Sequence, residues 1–163
     1  MGIDENTGAL TLSSSTLFSR GNAVLSDAGK STLDRYLKIY LNVLLSQKYR
    51  GYVAEIIIEG HTDSSPRGEK RGEYEYLGNL ELSLDRAEAV ANYILDPYYM
   101  RYTLGLSDSQ MQYFKSLVTT SGRSSSDLIM VNGYEDSDAS RRVVIKFRLV
   151  DADSIEATKG LIQ

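Results

Sequence analysis

The chain has 163 residues, 42% of them hydrophobic and 25% charged, which suits one globular domain with a full core. Its net charge of −4 and pI near 5.1 argue against a nucleic-acid partner, which wants a basic face. It has no cysteine, which excludes disulfides, thiolate metal sites, a cysteine nucleophile and a lipoprotein anchor, and it has no apolar run long enough to span a bilayer.

The opening "MGIDENTGAL" has no signal-peptide shape, and Asn6 breaks the myristoylation pattern. "GALTLS" (8–13) alternates apolar with small or polar residues and predicts a short strand. Asp27 then caps a helix reaching about Ser46, with Leu33, Leu37, Tyr40, Leu41 and Leu44 as its apolar stripe. Val53–Glu59 reads as a strand, with Ala54, Ile56 and Ile58 on one face and Glu55, Ile57 and Glu59 on the other. After a polar loop, a helix is expected from about Ser83, its N-cap, to Leu95, burying Ala87, Val90, Ala91 and Ile94. Pro97 ends it and "DPYYMRYTLGL" reads as a connection. A short helix over Asp108–Lys115, a strand in "SLVTTSGR" and a half-buried strand at 142–150 complete the pattern. The fold class expected is α+β, a two-layer sandwich with helices on one face of a mixed sheet.

Three motifs are decoys. "DAGKST" (27–32) has the end of a phosphate-binding loop, but the motif needs glycine where Val24 stands. The serine runs at 13–15 and 124–126 lack a nucleophile elbow and a spare histidine. His61 and Asp63 would start a metal site, yet no second histidine exists to complete one. No metal and no cofactor is expected.

The informative constellation is "EGHTDS" (59–64), then "NLELSLDRAEAVANYI" (79–94), then "NGYEDSDASRRVVIKF" (132–147). A strand-end Thr-Asp, an N-x-x-L-S-x-x-R-A helix and an Arg-Arg-Val strand start, in that order, resemble the OmpA-like C-terminal domain family over roughly residues 9–149. "LFSRGNAVLSDAG" (17–29) is similar to the family's opening phenylalanine loop. The long first helix and the "I-E-G-H-T-D-S" wording are most similar to the MotB-like branch.

The resemblance implies a non-catalytic module that binds peptidoglycan through the diaminopimelate end of its stem peptide. Asp63 would take the ligand's ammonium and Arg86 its carboxylate, which a guanidinium grips with two parallel N–H bonds. Placed one turn into its helix, Arg86 would also share the positive potential of the helix N-terminus. Asn79, Leu82 and Ser83 would form the pocket wall and cap the helix. Thr62 would offer backbone contacts, and Phe18 would sit beside the pocket. Arg141 and Arg142 match the Arg-Arg pair, one near the ligand or buttressing Asp63. His61 and Ser83 would be structural supports. The same resemblance implies an extracytoplasmic place in the cell envelope, a membrane-protein partner or an upstream transmembrane segment, and homodimerisation.

The chain departs from the family at Ser140, where Asn is usual, at Ser19, where Asp is common, and in a longer loop between Asp63 and Asn79. A single domain is expected, with a rim insertion at about 64–78, an expanded segment at about 96–118 and a tail from 151 to 163. Other readings stand beside this one. Asp63 and Arg86 could simply pair with each other, or Arg86 with Asp85 or Glu88 on the surface. Arg142 could only brace a loop. The protein could be a small hydrolase acting on wall material through His61 and Asp63, or an OmpA-like fold turned to protein partners.

Overall fold

The computed structural model describes residues 2–19, 21–66 and 72–150. Part of the expected rim insertion (67–71) and the whole expected tail (151–163) lie outside the described residues.

In chain order the elements are β1 (Gly2–Ile3), β2 (Leu10–Ser13), α1 (Ser14–Leu17), α2 (Asp27–Leu44), β3 (Val53–Gly60), α3 (Glu75–Ile94), a π-helical turn (Tyr99–Thr103), α4 (Asp108–Leu117), β4 (Val118–Gly122), β5 (Met130–Val131), β6 (Tyr134–Glu135), α5 (Ser137–Ser140) and β7 (Arg142–Leu149). The main sheet runs β1-β2-β7-β3-β4. β7 is antiparallel to both β2 and β3, and β4 is parallel to β3, so the sheet is mixed. β5 and β6 form a separate hairpin whose Asn132–Gly133 turn has positive φ at both residues, the conformation that suits a tight right-twisted hairpin.

The alternation expected in the strands sorts the two faces. Leu10, Leu12, Ile56, Ile58, Val143 and Ile145 are buried in one core with Leu33, Leu37, Leu41 and Leu44 of α2 and Ala87, Val90 and Ile94 of α3. The opposite face carries Ile57 and Val144 among charge pairs: Lys146 donates to Glu59, and Arg148 to Glu55. An irregularity between Val53 and Glu55 turns Val53 into the core as well. Among the described residues no helix is long and apolar enough to cross a membrane.

Two helix boundaries differ from the sequence reading. Ser26, not Asp27, caps α2, accepting from the Gly29 amide at 2.9 Å. Ser83 is not an N-cap: α3 begins at Glu75, and Ser83 lies inside it. The buried stripe of α3 starts with Gly78, Asn79, Leu82 and Ser83, mostly small or polar, so hydrophobic periodicity alone does not register its first turns. Those small residues let the helix lie against the strand ends. A Cβ added at Gly60 would stand 1.9 Å from the Ser83 carbonyl oxygen, and one at Gly122 would stand 2.8 Å from Ser83 Oγ.

Register places one end of the sheet at the centre of the functional question. Ser13 pairs with Arg142, Gly60 with Val143, and Gly60 with Gly122. The chain therefore leaves β2, β3 and β4, and enters β7, at the same edge. The loops carrying Phe18, Asp63, Ser124 and Arg141 all rise from it.

Candidate functional site

β3 runs straight into His61, Thr62 and Asp63, all buried. The backbone holds this turn. The His61 amide donates to the Arg142 carbonyl and the Thr62 amide to the Ser124 carbonyl, each at 2.9 Å. Asn79 of α3 donates from Nδ2 to the carbonyls of Asp63 (3.4 Å) and Ser65 (3.1 Å). The Asp63 carboxylate accepts from Arg141 Nη1 and from Ser65 Oγ at 3.3 Å. Arg141 also donates to Asp138, so one guanidinium lies between two carboxylates. Counting these three groups alone, one negative charge is left over, which suits a cationic visitor.

Arg86 is buried in α3 with its guanidinium 5.4 Å from the centre of the Phe18 ring. Its Nε donates to the Asn22 carbonyl at 3.1 Å. Phe18 itself is bridged to Leu25, which closes the opening loop. A guanidinium over an aromatic face keeps its flat fork oriented for a planar anion. Asn79 and Arg86 stand seven positions apart, on one face of α3. That face runs from the Asp63 turn to the Phe18 loop, with buried Leu82 and Ser83 between them. Ser83 ties the helix to the sheet end: its Oγ donates to the Leu80 carbonyl (2.8 Å) and accepts from the Ser124 amide (3.0 Å).

No ion pair joins Asp63 to Arg86 among the described residues, so they do not simply neutralise each other. Arg86 stands three turns into α3, not one, where the helix N-terminal field has faded, so the helix terminus adds nothing to anion binding at this side chain. The Arg-Arg pair divides its work. Arg141 buttresses Asp63, while buried Arg142 donates to Asp127 Oδ2 (2.5 Å) and to the carbonyls of Asp127 (3.1 Å) and Ser140 (3.2 Å). Arg142 thus braces the loop after β4. Ser140, the departure from the expected Asn, accepts from the Ile129 amide at 2.9 Å and braces the base of the hairpin.

His61 is 1% exposed. Its Nε2 lies 3.1 Å from Glu59, which in turn holds Lys146, and its Nδ1 lies 3.8 Å from Asp127. Desolvation, helped by the charge of Arg142, pushes its pKa down to about 4, against the opposing pull of Glu59 and Asp127. The ring is neutral at physiological pH and sealed beneath the turn.

The sequence reading missed Ser64, Asp127, Glu135 and Asp138. Ser64 donates to Glu135 through both its amide and its hydroxyl, pinning the rim of the Asp63 turn to the hairpin, and the Ser64 hydroxyl holds the Glu135 carboxyl below its usual range. The visible signal was the Asn-Gly pair inside "IMVNGYE", a cue for the hairpin itself but not for its place beside the Asp63 turn.

A model of the OmpA family matches residues 17–104. The chain is 33% identical over 131 residues to the Zorya protein ZorB of Escherichia coli, covering 80% of this chain and 52% of that protein. It therefore spans about half the length of this curated relative. The fold matches the periplasmic domain of Helicobacter pylori MotB, with a TM-score of 0.63 and 22% identity over 97% of this chain and 94% of that one. It also matches the cell wall anchor of the T6SS from Pseudomonas aeruginosa, with a TM-score of 0.51 and 22% identity over 87% and 81% of the two chains.

Proposed function

We propose, since this chain belongs to the OmpA family, that it is a non-catalytic module that binds peptidoglycan and fixes a membrane or envelope assembly to the cell wall. The ligand is the stem peptide, chiefly the free end of its diaminopimelate, which offers an ammonium and a carboxylate together. Asp63 takes the ammonium. Arg86, oriented over Phe18, takes the carboxylate as a bidentate pair. Thr62, Asn79 and Leu82 shape the wall of the site, Arg141 holds the Asp63 carboxylate in place, and Arg142, His61 and Ser83 support the turn and the helix from behind.

The observation that carries this reading is the Asp63 carboxylate, held by Arg141 at the same sheet end as the Phe18 loop that stacks under Arg86. A hydrolase built on His61 is disfavoured, because the ring's Nε2 is engaged by Glu59 and its Nδ1 lies toward Asp127 rather than toward Asp63. The module would act on the extracytoplasmic side of the membrane, in the service of a membrane partner. It would do so alone or as a homodimer.

Co-sedimentation with purified peptidoglycan sacculi tests the proposal. The chain is expected in the pellet and to be released by soluble stem peptide. Recovery only in the supernatant would count against wall binding, and release of new soluble muropeptides would count against a non-catalytic role.

A further inference from the structure

We propose that the end of the domain opposite the Asp63 turn is a docking surface for an anionic lipid bilayer. β3 is eight residues long and rises about 3.3 Å per residue, which puts its start roughly 25 Å from the candidate wall site. At that start lies a groove of about 540 Å³ lined by Val43, Leu44, Tyr49, Tyr52, Phe147 and Leu149, with Lys48 on its rim. The side chains at its mouth are open to solvent: Val43 is 52% exposed, Tyr52 65% and Leu149 54%. Ile39, one helical turn before Val43 on α2, is 67% exposed and extends the same apolar strip.

Charge indicates what covers it. From Arg35 to Ala54 the chain carries Arg35, Lys38, Lys48 and Arg50 and no acidic residue, in a protein of net charge −4. Arg35, Lys38, Lys48 and Arg50 are all exposed. Lys48 lies over the Tyr49 ring at 4.8 Å and Arg50 over the Tyr113 ring at 5.0 Å, which holds the cationic heads close to the aromatic rim. The nearby acid Glu55 is already engaged by Arg148 and Thr119. Exposed aliphatic side chains flanked by Lys and Arg, beside the exposed Tyr49 and Tyr52, are the chemistry of a surface that lies in a bilayer interface. A purely apolar partner would leave the bases unused, and a purely anionic one would leave Ile39, Val43 and the groove unused. A bilayer carrying anionic headgroups uses both. The acidic remainder of the surface is repelled by such a bilayer, so the basic end is the one turned toward it.

The test is co-sedimentation of the chain with phosphatidylcholine vesicles, with and without phosphatidylglycerol, at low and high salt. Binding is expected only to the anionic vesicles and to weaken with salt. Each basic group near such a surface is worth about five-fold in binding, so Lys38→Glu/Lys48→Glu should weaken it by at least about ten-fold. Ile39→Ser/Val43→Ser should also weaken it, with charge unchanged. All four side chains are exposed, so both variants should keep the parent's thermal unfolding curve. Absence of vesicle binding, or binding unchanged in both variants, overturns the proposal. Self-association lost in Ile39→Ser/Val43→Ser without vesicle binding also overturns it, and makes this face a contact between copies. No wall material is present in the assay, so its outcome is independent of the peptidoglycan reading.

Discussion

Arg141 donates to the Asp63 carboxylate across a separation of 78 positions, and only 9% of the Asp63 side chain is exposed. The pair fastens the turn after β3 to the start of β7. The other end of the same guanidinium reaches Asp138, whose side chain is 83% exposed. Replacing Arg141 by Met should leave a largely buried carboxylate without its cation, at a cost of about 1–3 kcal/mol. Asp138→Ala should cost less than about 1 kcal/mol, because that carboxylate returns to water. Urea unfolding of the two variants checks the contrast. Equal losses would mean that the pair does not hold the turn.

At Gly60 the sheet and α3 approach too closely to admit a side chain. A Cβ added there would meet backbone, not a side chain that could swing away. Gly60→Ala should therefore separate α3 from the strand ends and cost about 3 kcal/mol or more. Gly51→Ala is the control: a Cβ there meets nothing within 4 Å and its φ is not in the left-handed region, so stability should hold or rise slightly. Thermal denaturation of both proteins settles it, and a Gly60→Ala protein as stable as its parent would refute the packing account.

Burial of His61 makes a pH prediction with a definite sign. Its pKa is near 6.5 in the unfolded chain and about 4 in the folded one. Between those values the unfolded chain binds more protons, so the stabilisation is fully present above about pH 6.5 and drains away as pH falls toward 4. The whole effect is at most ~3 kcal/mol. His61→Gln removes the titrating ring and should flatten the fall in unfolding free energy across this window. An unchanged slope in His61→Gln would assign the acid sensitivity to carboxylates instead.

Ser83 tests the corrected helix. An N-cap serine would act on its own helix, whereas the observed Ser83 Oγ accepts from the Ser124 amide across to the loop after β4. Ser83→Ala should strand that buried amide, costing about 1–3 kcal/mol. It should also speed hydrogen exchange at Ser124 while leaving the first turn of α3 protected as before. Loss of protection at the start of α3 would restore the capping role.

The sequence exposed β2, β3, β7, α2 and the second half of α3, because there the buried positions are mostly Leu, Ile, Val and Ala at a clear period. It concealed the start of α3, where Gly78, Asn79 and Ser83 are buried by close backbone packing and hydrogen bonds rather than by apolar area. The site residues were legible as motifs, but their pairing was not. Nothing in the spacing of "TDS" and "SRRV" says that Arg141 faces Asp63 while Arg142 turns away to Asp127; that choice follows from the period of two at the start of β7, where Arg142 enters the strand beside Ser13 and Arg141 remains in the loop. The Ser64–Glu135 clamp needed the hairpin, whose strands of two residues are too short to show a pattern.

Calorimetric titration of the parent chain, Asp63→Ala and Arg86→Ala with a soluble stem peptide ending in diaminopimelate tests directly whether these two side chains hold the ligand. Each variant strands one charge of the zwitterionic ligand end in a partly desolvated site, a loss of about 2–5 kcal/mol, or roughly 30-fold to several-thousand-fold in affinity. The parent titrated with a peptide whose diaminopimelate is amidated, or replaced by lysine, should lose binding as Arg86→Ala does, and that arm does not depend on how the variants fold. Binding by the parent to the unaltered peptide is expected, with loss in all the altered pairs. Parent-like affinity in folded Asp63→Ala and Arg86→Ala, or for the amidated peptide, would contradict the assignment.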